Sequence, residues 1–484
     1  METLTLIELF YTMSLAFAHL REEYTIMPDR TPTEIGEEIS VQAPENRKRR
    51  MKPITRVLII LGVILVIIVA TVPRIYSSWK AARTAALVAI QAANDAPAYS
   101  THAQINGVMY GFDAAHTHTN PYEQAINSSN IAKMKVLWSY HLGRSIDSNS
   151  SPIIGNNHKL YVGSLDHNLY AFESNCDIEC QPLWRYTTDG EIRSTPAIAY
   201  GTVFVGSQDH NFYAFDENCV QDCEPLYSYE TGSAISSSPI VVGDTVYVGS
   251  DDGNLYAFNA FCTFACLPTW SYQTGSKVQS SPAVANNILY VGTQNGRLYA
   301  FDARCAANCQ PLWSYQTGGA INSSPTIANG SVYVGSDDGK LYAFNASCTQ
   351  NCQPTWTYQT GGKITSSPAV DYGHLFLGSD DKKLYAFNAT CQQNCQPLWS
   401  YQTSGSIESS ATLANKLLYI GSDDGKVYIF DATSTTAKQP LSILAPKPLV
   451  PRPVHGITST LFISAGKLYI HTENGDVYAY GFFN

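Results

Sequence analysis

The chain has 484 residues, of which 44% are hydrophobic and only 14% charged, and its net charge is −10. That is material for one large domain or two smaller ones. The acidic balance, with no long basic stretch beyond residue 60, excludes nucleic acid as the main partner, because phosphate binding needs clustered Lys and Arg. Plentiful Tyr (31), Gly (33) and Phe (18) suit short strands joined by tight turns, so an all-β fold is expected.

Residues 1–56 read as a cytoplasmic N-terminal segment, partly disordered, and 57–76 as a transmembrane helix or signal anchor. The run from Val57 to Val72, VLIILGVILVIIVATV, carries no charge, and with Ile54 and Ile75 and snorkelling arginines it reaches about twenty residues, enough to span a bilayer. Arg47, Lys48, Arg49, Arg50, Lys52 and Arg56 precede it and only Arg74, Lys80 and Arg83 follow closely. The positive-inside bias therefore keeps the N-terminus cytoplasmic and exports everything after residue 73. A cleaved signal peptide is the alternative, with Met51 as a second candidate start. Residues 77–105 read as a linker.

From about residue 150 the chain repeats a unit such as SSPAVANNILYVGTQNGRLYAFDARCAANCQPLWSYQTGG every 43 residues, the step that separates Cys176, Cys219, Cys262, Cys305, Cys348 and Cys391. Each copy holds four β-rich runs separated by turn signals, with no helical pattern between copies, which is the signature of a propeller of four-stranded antiparallel blades. Starts at Pro152, Pro196, Pro239, Pro282, Pro325, Pro368, Ala411 and Leu461 make eight blades. The last copy stops after three strands, whereas VLWSYHLG (136–143) is a fourth strand with no blade ahead of it, so it is expected to close the eighth blade. The propeller is assigned to 106–484. The seventh blade, without Cys or Trp and with five prolines between Phe430 and Gly456, is expected to carry a longer, irregular outer loop.

All twelve cysteines fall in pairs of one spacing: Cys176/Cys180, Cys219/Cys223, Cys262/Cys266, Cys305/Cys309, Cys348/Cys352 and Cys391/Cys395. A metal site would need two further ligands per loop, and no His or Cys recurs nearby with that spacing. A disulfide within each loop between third and fourth strands suits an exported domain. Each closure constrains the unfolded chain by roughly 2 kcal/mol if the geometry is unstrained.

The recurrent VYVGSDDGxLYAFNA followed by LWSYQTGG resembles the PQQ-like repeat, the blade of quinoprotein alcohol dehydrogenases and of the lipoprotein subunit of the outer-membrane β-barrel assembly machine. The lead-in GFDAAHTHTNPYEQAI resembles the first segment of these propellers. The resemblance implies that Trp138, Trp184, Trp270, Trp313, Trp356 and Trp399, with Tyr227 as a substitute, dock between adjacent blades. Two departures stand out: no cysteine precedes residue 176 to carry a lipid, and Cys-x-x-x-Cys replaces a short Thr-Gly turn. One fold hosts many functions, so the resemblance bears on architecture more than on activity.

The innermost strand starts beside the face that carries the Asp-Asp-Gly turns, and its Pro is tolerated because one edge of that strand is expected to face the channel unpaired. Three residues before that Pro, in the pattern Ile-x-Ser-Ser-Pro, stand Arg193, Ser236, Gln279, Asn322, Thr365, Glu408 and Thr458, with Asp147 or Asn149 matching in the first blade. A column that is polar throughout and diversified among near-identical copies points to a ligand site at the channel mouth, against the plainer reading of neutral drift at a solvated position. The Asp-Asp-Gly triplets at 251–253, 337–339 and 423–425 read as hairpin turns, with too few ligands for calcium. His116 and His118 are spaced like metal ligands on one strand face but have no third partner in view. Sequons fall at Asn127, Asn322, Asn329, Asn345 and Asn388. The expected function is a membrane-anchored, extracytoplasmic, non-catalytic binding or scaffolding module without a cofactor, whose partner is a protein, peptide or glycan on a propeller face. The alternatives are a PQQ-dependent dehydrogenase, with calcium and Glu408 or Asp147 as base or ligand, and a surface adhesin.

Overall fold

The computed structural model describes residues 109–143, 150–176, 179–436, 439–447 and 456–482. The apolar run at 57–72 and the linker lie outside them. Among the described residues no helix is long and apolar enough to cross a membrane.

One copy shows why the repeat folds as it does. Ala283–Ala285, Ile288–Gly292, Arg297–Asp302 and Pro311–Gln316 form a four-stranded antiparallel sheet, with Tyr290 opposite Ala300 and Ala300 opposite Trp313. Asn286 and Asn287, at φ 52° and 61°, make the tight turn between the first two strands, a geometry that Asn tolerates well. The second and third strands are buried on both faces because each sheet packs between two others, so their apolar residues run on without clear alternation. Close packing shows at Gly292, where a Cβ would collide with the side chain of Ile321 from the next crossing.

Eight such sheets close into a ring. The last blade joins Phe462–Ser464, Lys467–His471 and Asp476–Gly481 to Lys135–His141, with Trp138 opposite Ala479, so strands from the two ends of the propeller share one sheet. The seventh blade takes Ser442–Leu444 as its outer strand and gains a fifth, Thr119–Asn120, parallel to Thr412–Ala414. That fifth strand was not expected from the repeat. Part of the irregular outer loop, 448–455, lies outside the described residues.

Aromatic side chains fill the seams. Trp138, Trp184, Trp270, Trp313, Trp356 and Trp399 are buried, and each ring lies 5.6–6.1 Å from a Phe in the third strand of the following blade, as with Trp184 on Phe215 and Trp313 on Phe344. Tyr227 occupies the matching position, also buried. The second-strand tyrosines add a clamp: Tyr161, Tyr247, Tyr290, Tyr333 and Tyr469 each donate to a backbone carbonyl just before the next cysteine loop or its equivalent.

All six cysteine pairs are disulfides, Cys176–Cys180, Cys219–Cys223, Cys262–Cys266, Cys305–Cys309, Cys348–Cys352 and Cys391–Cys395. In each described pair the second cysteine is buried against the blade and the first lies nearer solvent. Reduction should lower the melting temperature of the whole ring, and Cys305→Ser with Cys309→Ser should reproduce part of that loss, equivalent to roughly 2 kcal/mol. Thermal melts with and without reductant check this, and an unchanged melt would remove the bracing role.

Candidate binding site at the channel mouth

The motif Ser-Ser-Pro opens the inner strand of most blades, and its two serines do different work. The first, at 150, 194, 237, 280, 323, 366 and 409, is fully buried and accepts the N–H of the second-strand glycine of its own blade, at 2.9–3.3 Å. The second faces the channel. Its hydroxyl accepts the backbone N–H of the equivalent residue in the preceding blade, so that Thr460, Ser151, Thr195, Ser238, Ser281, Ser324, Ser367 and Ser410 form seven successive links of 2.9–3.0 Å. Between the seventh and eighth blades the Thr412 hydroxyl donates to the Leu461 carbonyl instead, at 2.7 Å.

Above this belt lies a polar cavity of about 500 Å³. Arg193, Ser236, Gln279, Asn322, Thr365, Glu408 and Thr458 all line it, which places the diversified column on one surface. Asp147 lies outside the described residues. Sequence reasoning missed the belt hydroxyls that make the lower wall, together with Glu191, Gln208 and Tyr110. The belt was signalled by a hydroxyl residue, Ser or Thr, at the same place in every copy.

The first residue of each second turn stands beside this column. The N–H groups of Gln208, Asp251, Gln294, Asp337, Asp380, Asp423 and Glu473 bond back to the crossing two residues before each column position, for example Asp423 to the Ser406 carbonyl at 3.0 Å. The second Asp of each triplet is consumed by the turn. Asp252 accepts the Asn254 N–H and the Tyr256 hydroxyl, and also the Gly232 N–H from the preceding blade. These aspartates hold hairpins, as the triplets implied.

The opposite end of the channel is closed by residues 109–120. Their carbonyls at Ala114, Ala115, Thr117 and His118 accept N–H groups from Val284, Ile327, Val370 and Leu413, the inner strands of four consecutive blades. The inner edge expected to stand open is therefore paired in these blades. His116 and His118, at φ 55° and 59°, belong to this left-handed path and not to a common strand face. Both are fully buried, and burial drives each pKa down to about 3, so the imidazoles are neutral. Among the described residues no group of three His, Cys, Asp or Glu side chains could hold a metal. The Tyr110 ring meets both histidines edge-on, and its hydroxyl bonds to Ser367 Oγ (3.0 Å) and Ser410 Oγ (2.9 Å) in the belt.

The family is now identifiable. The sequence profile described as outer membrane protein assembly factor BamB matches residues 124–261 and 268–481. This chain belongs to that family. No curated protein matches it by sequence. Among solved structures it is similar to BamB from Moraxella catarrhalis (16% identity, TM-score 0.56, 72% of this chain and 100% of that one). It is also similar to quinohemoprotein alcohol dehydrogenase from Comamonas testosteroni (13%, TM-score 0.61, 78% and 81%) and to a europium-containing methanol dehydrogenase (13%, TM-score 0.59, 78% and 98%). At these identities the likeness is one of fold.

The lining does not match PQQ, a flat tricarboxylate. Arg193, its one guanidinium, is paired to Glu191 at 2.7 Å, and Tyr110 is the one aromatic ring among the lining residues. The carboxylates of PQQ would face the carboxylate of Glu408.

The Asp423 pKa is pushed up to about 7, first by burial and then by Glu408, Glu473, Asp380 and Asp424. The folded chain thus keeps a proton there that the unfolded chain has lost, so this group's stabilisation is full at low pH and is lost as pH rises from about 4 to about 7. Asp423→Asn should flatten that part of the stability profile and raise Tm at pH 8 by about 1–3 °C, a small effect because water screens the partly exposed group. Melts across pH test this, and an unaltered profile would contradict it.

The two serine roles are separable by denaturation. Ser280→Ala, which orphans the buried Gly292 N–H, should cost about 1–3 kcal/mol. Ser281→Ala exposes the Ser238 N–H to a water-accessible mouth and should cost less than half as much; equal costs would mean that the belt is as dry as the blade interior.

Proposed function

We propose that the chain is a non-catalytic binding or scaffolding propeller, anchored in a membrane by the apolar helix at 57–76 and exported beyond it, with the channel mouth as its recognition surface. The supporting observation is the contrast within one ring: the belt repeats the same hydroxyl chemistry blade after blade, while the residues just above it carry a different polar group in almost every copy. The belt is buried and held constant by the links between blades, whereas the column takes no part in those links, so its variety is free to be shaped by a ligand. Membership of a family described by an assembly factor accords with a role in holding other molecules. The hydroxyl-rich lining also favours an adhesin-type reading in which the held molecule is a glycan. The dehydrogenase reading is weaker because of the poor match to PQQ, which would have to be accommodated against the acidic side of the mouth.

Photo-crosslinking side chains placed at Gln279, in the mouth, and at Gln350, on a cysteine loop, distinguish the faces in the full-length protein in native membranes. A discrete adduct from position 279 and none from 350 is expected. Adducts confined to position 350 would move recognition to the cysteine face, and dye-linked alcohol oxidation after addition of PQQ and calcium would replace the scaffold by an enzyme. For topology, a protease applied outside intact cells should remove the propeller but spare residues 1–50.

A further inference from the structure

Among near-identical copies, one cysteine loop has changed its chemistry. The ordinary exposed apolar residue of a blade is the leucine before the seam aromatic: Leu183, Leu226, Leu312 and Leu398 are each 38–42% exposed, and their recurrence marks them as part of the fold. The third blade departs from this pattern. Its loop, FCTFACL from Phe261 to Leu267, holds the two most exposed large apolar side chains among the described residues, Phe264 at 86% and Leu267 at 74%. The place of Leu267 is taken elsewhere by Gln181, Glu224, Gln310, Gln353 and Gln396, all exposed. That of Phe264 is taken by Gln221, Ala307, Gln350 and Gln393, and by Ile178 in the first blade, outside the described residues.

Folding does not require these residues, because the other five loops close by the same disulfide. One change works against the local backbone. Ala265 stands at φ 49°, a left-handed position that Asp222, Asn308, Asn351 and Asn394 fill at φ 49–52° and that suits their side chains better than alanine. Phe261 supports the loop from below: its ring lies 4.5 Å from that of Tyr200, whose hydroxyl donates to the Gly243 carbonyl at 2.8 Å. The Cys262–Cys266 bridge, with Cys266 buried, fixes the tip above it. Between Asp252 and Lys277 there is no Asp, Glu, Lys or Arg, and the loop of the second blade adds Val220, 69% exposed. The result is a rigid, uncharged apolar tip held out in solvent.

We infer that this tip, Phe264 and Leu267 with Val220 beside it in the ring, dips into the interfacial layer of the lipid bilayer to which the chain is tethered. Three side chains on projecting loops fall short of the roughly 800 Å² per partner that a stable protein interface, a second copy included, requires. A fluid bilayer takes Phe and Leu from such a tip without a complementary surface, and needs no charge to do so. So small a contact would hold a free protein only weakly. The inference therefore rests on the proposed anchor at 57–76: residues 77–108 can span at most about 110 Å, which confines the propeller beside the bilayer and makes a weak insertion effective. Cysteine loops and first turns share one end of the ring, as the bond from the Ala303 N–H to the Asn287 carbonyl shows, and the mouth lies at the other. Insertion of the third blade thus turns the mouth away from the membrane.

The test uses the full-length protein reconstituted into phosphatidylcholine vesicles, with benzoylphenylalanine placed at 264 or at 350, the same loop position two blades on. After irradiation, lipid adducts from 264 should exceed those from 350 at least tenfold, and high salt should not reduce them. Leu267→Gln, which restores the residue of most other loops, should lower the yield from 264 at least threefold. Equal yields from the two positions, in protein that still floats with the vesicles, would overturn the insertion and leave the anchor standing. Protein that does not float would remove the anchor and this inference with it. Crosslinked dimers from 264 in place of lipid adducts would overturn it in favour of self-association, and in native membranes a discrete adduct to another protein in place of lipid would overturn it in favour of protein docking.

Discussion

The structure depends on one hydrogen bond repeated at seven of the eight junctions around a circle: a backbone N–H at the start of an inner strand given to the hydroxyl of the equivalent residue one blade on. Inner strands converge on the channel, where the sheets are closest and their N–H groups point at one another's space. A residue with no acceptor there would leave a ring of unsatisfied donors around the axis. Serine or threonine meets that requirement with the smallest side chain and keeps the hydroxyl proton free for the channel. The preceding buried serine ties the same strand start to its own blade, so two adjacent hydroxyls fix one strand in two directions.

From this belt follow the dimensions of everything above it. The column three residues before each proline is carried to the rim at a height the belt sets, and the turn residues are locked beside it by backbone bonds to the crossings. Outside the belt, the Trp on Phe contacts and the tyrosine clamps bury apolar surface between blades, and the disulfides close the loops at the other end. A rigid ring of this kind presents side chains that differ from blade to blade without altering their mutual geometry. Chemical variety at the mouth therefore carries little conformational cost.

Much of this was legible because repetition multiplies a weak signal. A single ILYVG run is ambiguous, but eight copies, the central six starting at a fixed step of 43 residues, with strands short of one partner at the two ends of the propeller, determine blade number and closure together. The polar column was visible as variation against a constant background. Unreadable from the sequence was the path of residues 109–120, which has no counterpart in the repeat and follows left-handed φ values at His116 and His118 that no local pattern announces. Its bonds are made by backbone carbonyls to four inner strands, so side-chain identities carry almost no trace of them. The spacing of the two histidines suggested a shared face only because a strand was assumed.

That segment also breaks the ring's symmetry, and the break falls at an informative place. Tyr110 could have met any pair of belt serines, since the belt is nearly the same at each; it meets Ser367 and Ser410. These belong to the sixth and seventh blades, and the seventh also gains the fifth strand. The tyrosine bridge and the parallel strand thus tie the lead-in segment to the same side of the ring in two ways, through the belt hydroxyls and through the inner edge of a sheet, so the segment that closes one end of the channel also braces the belt that sets the other.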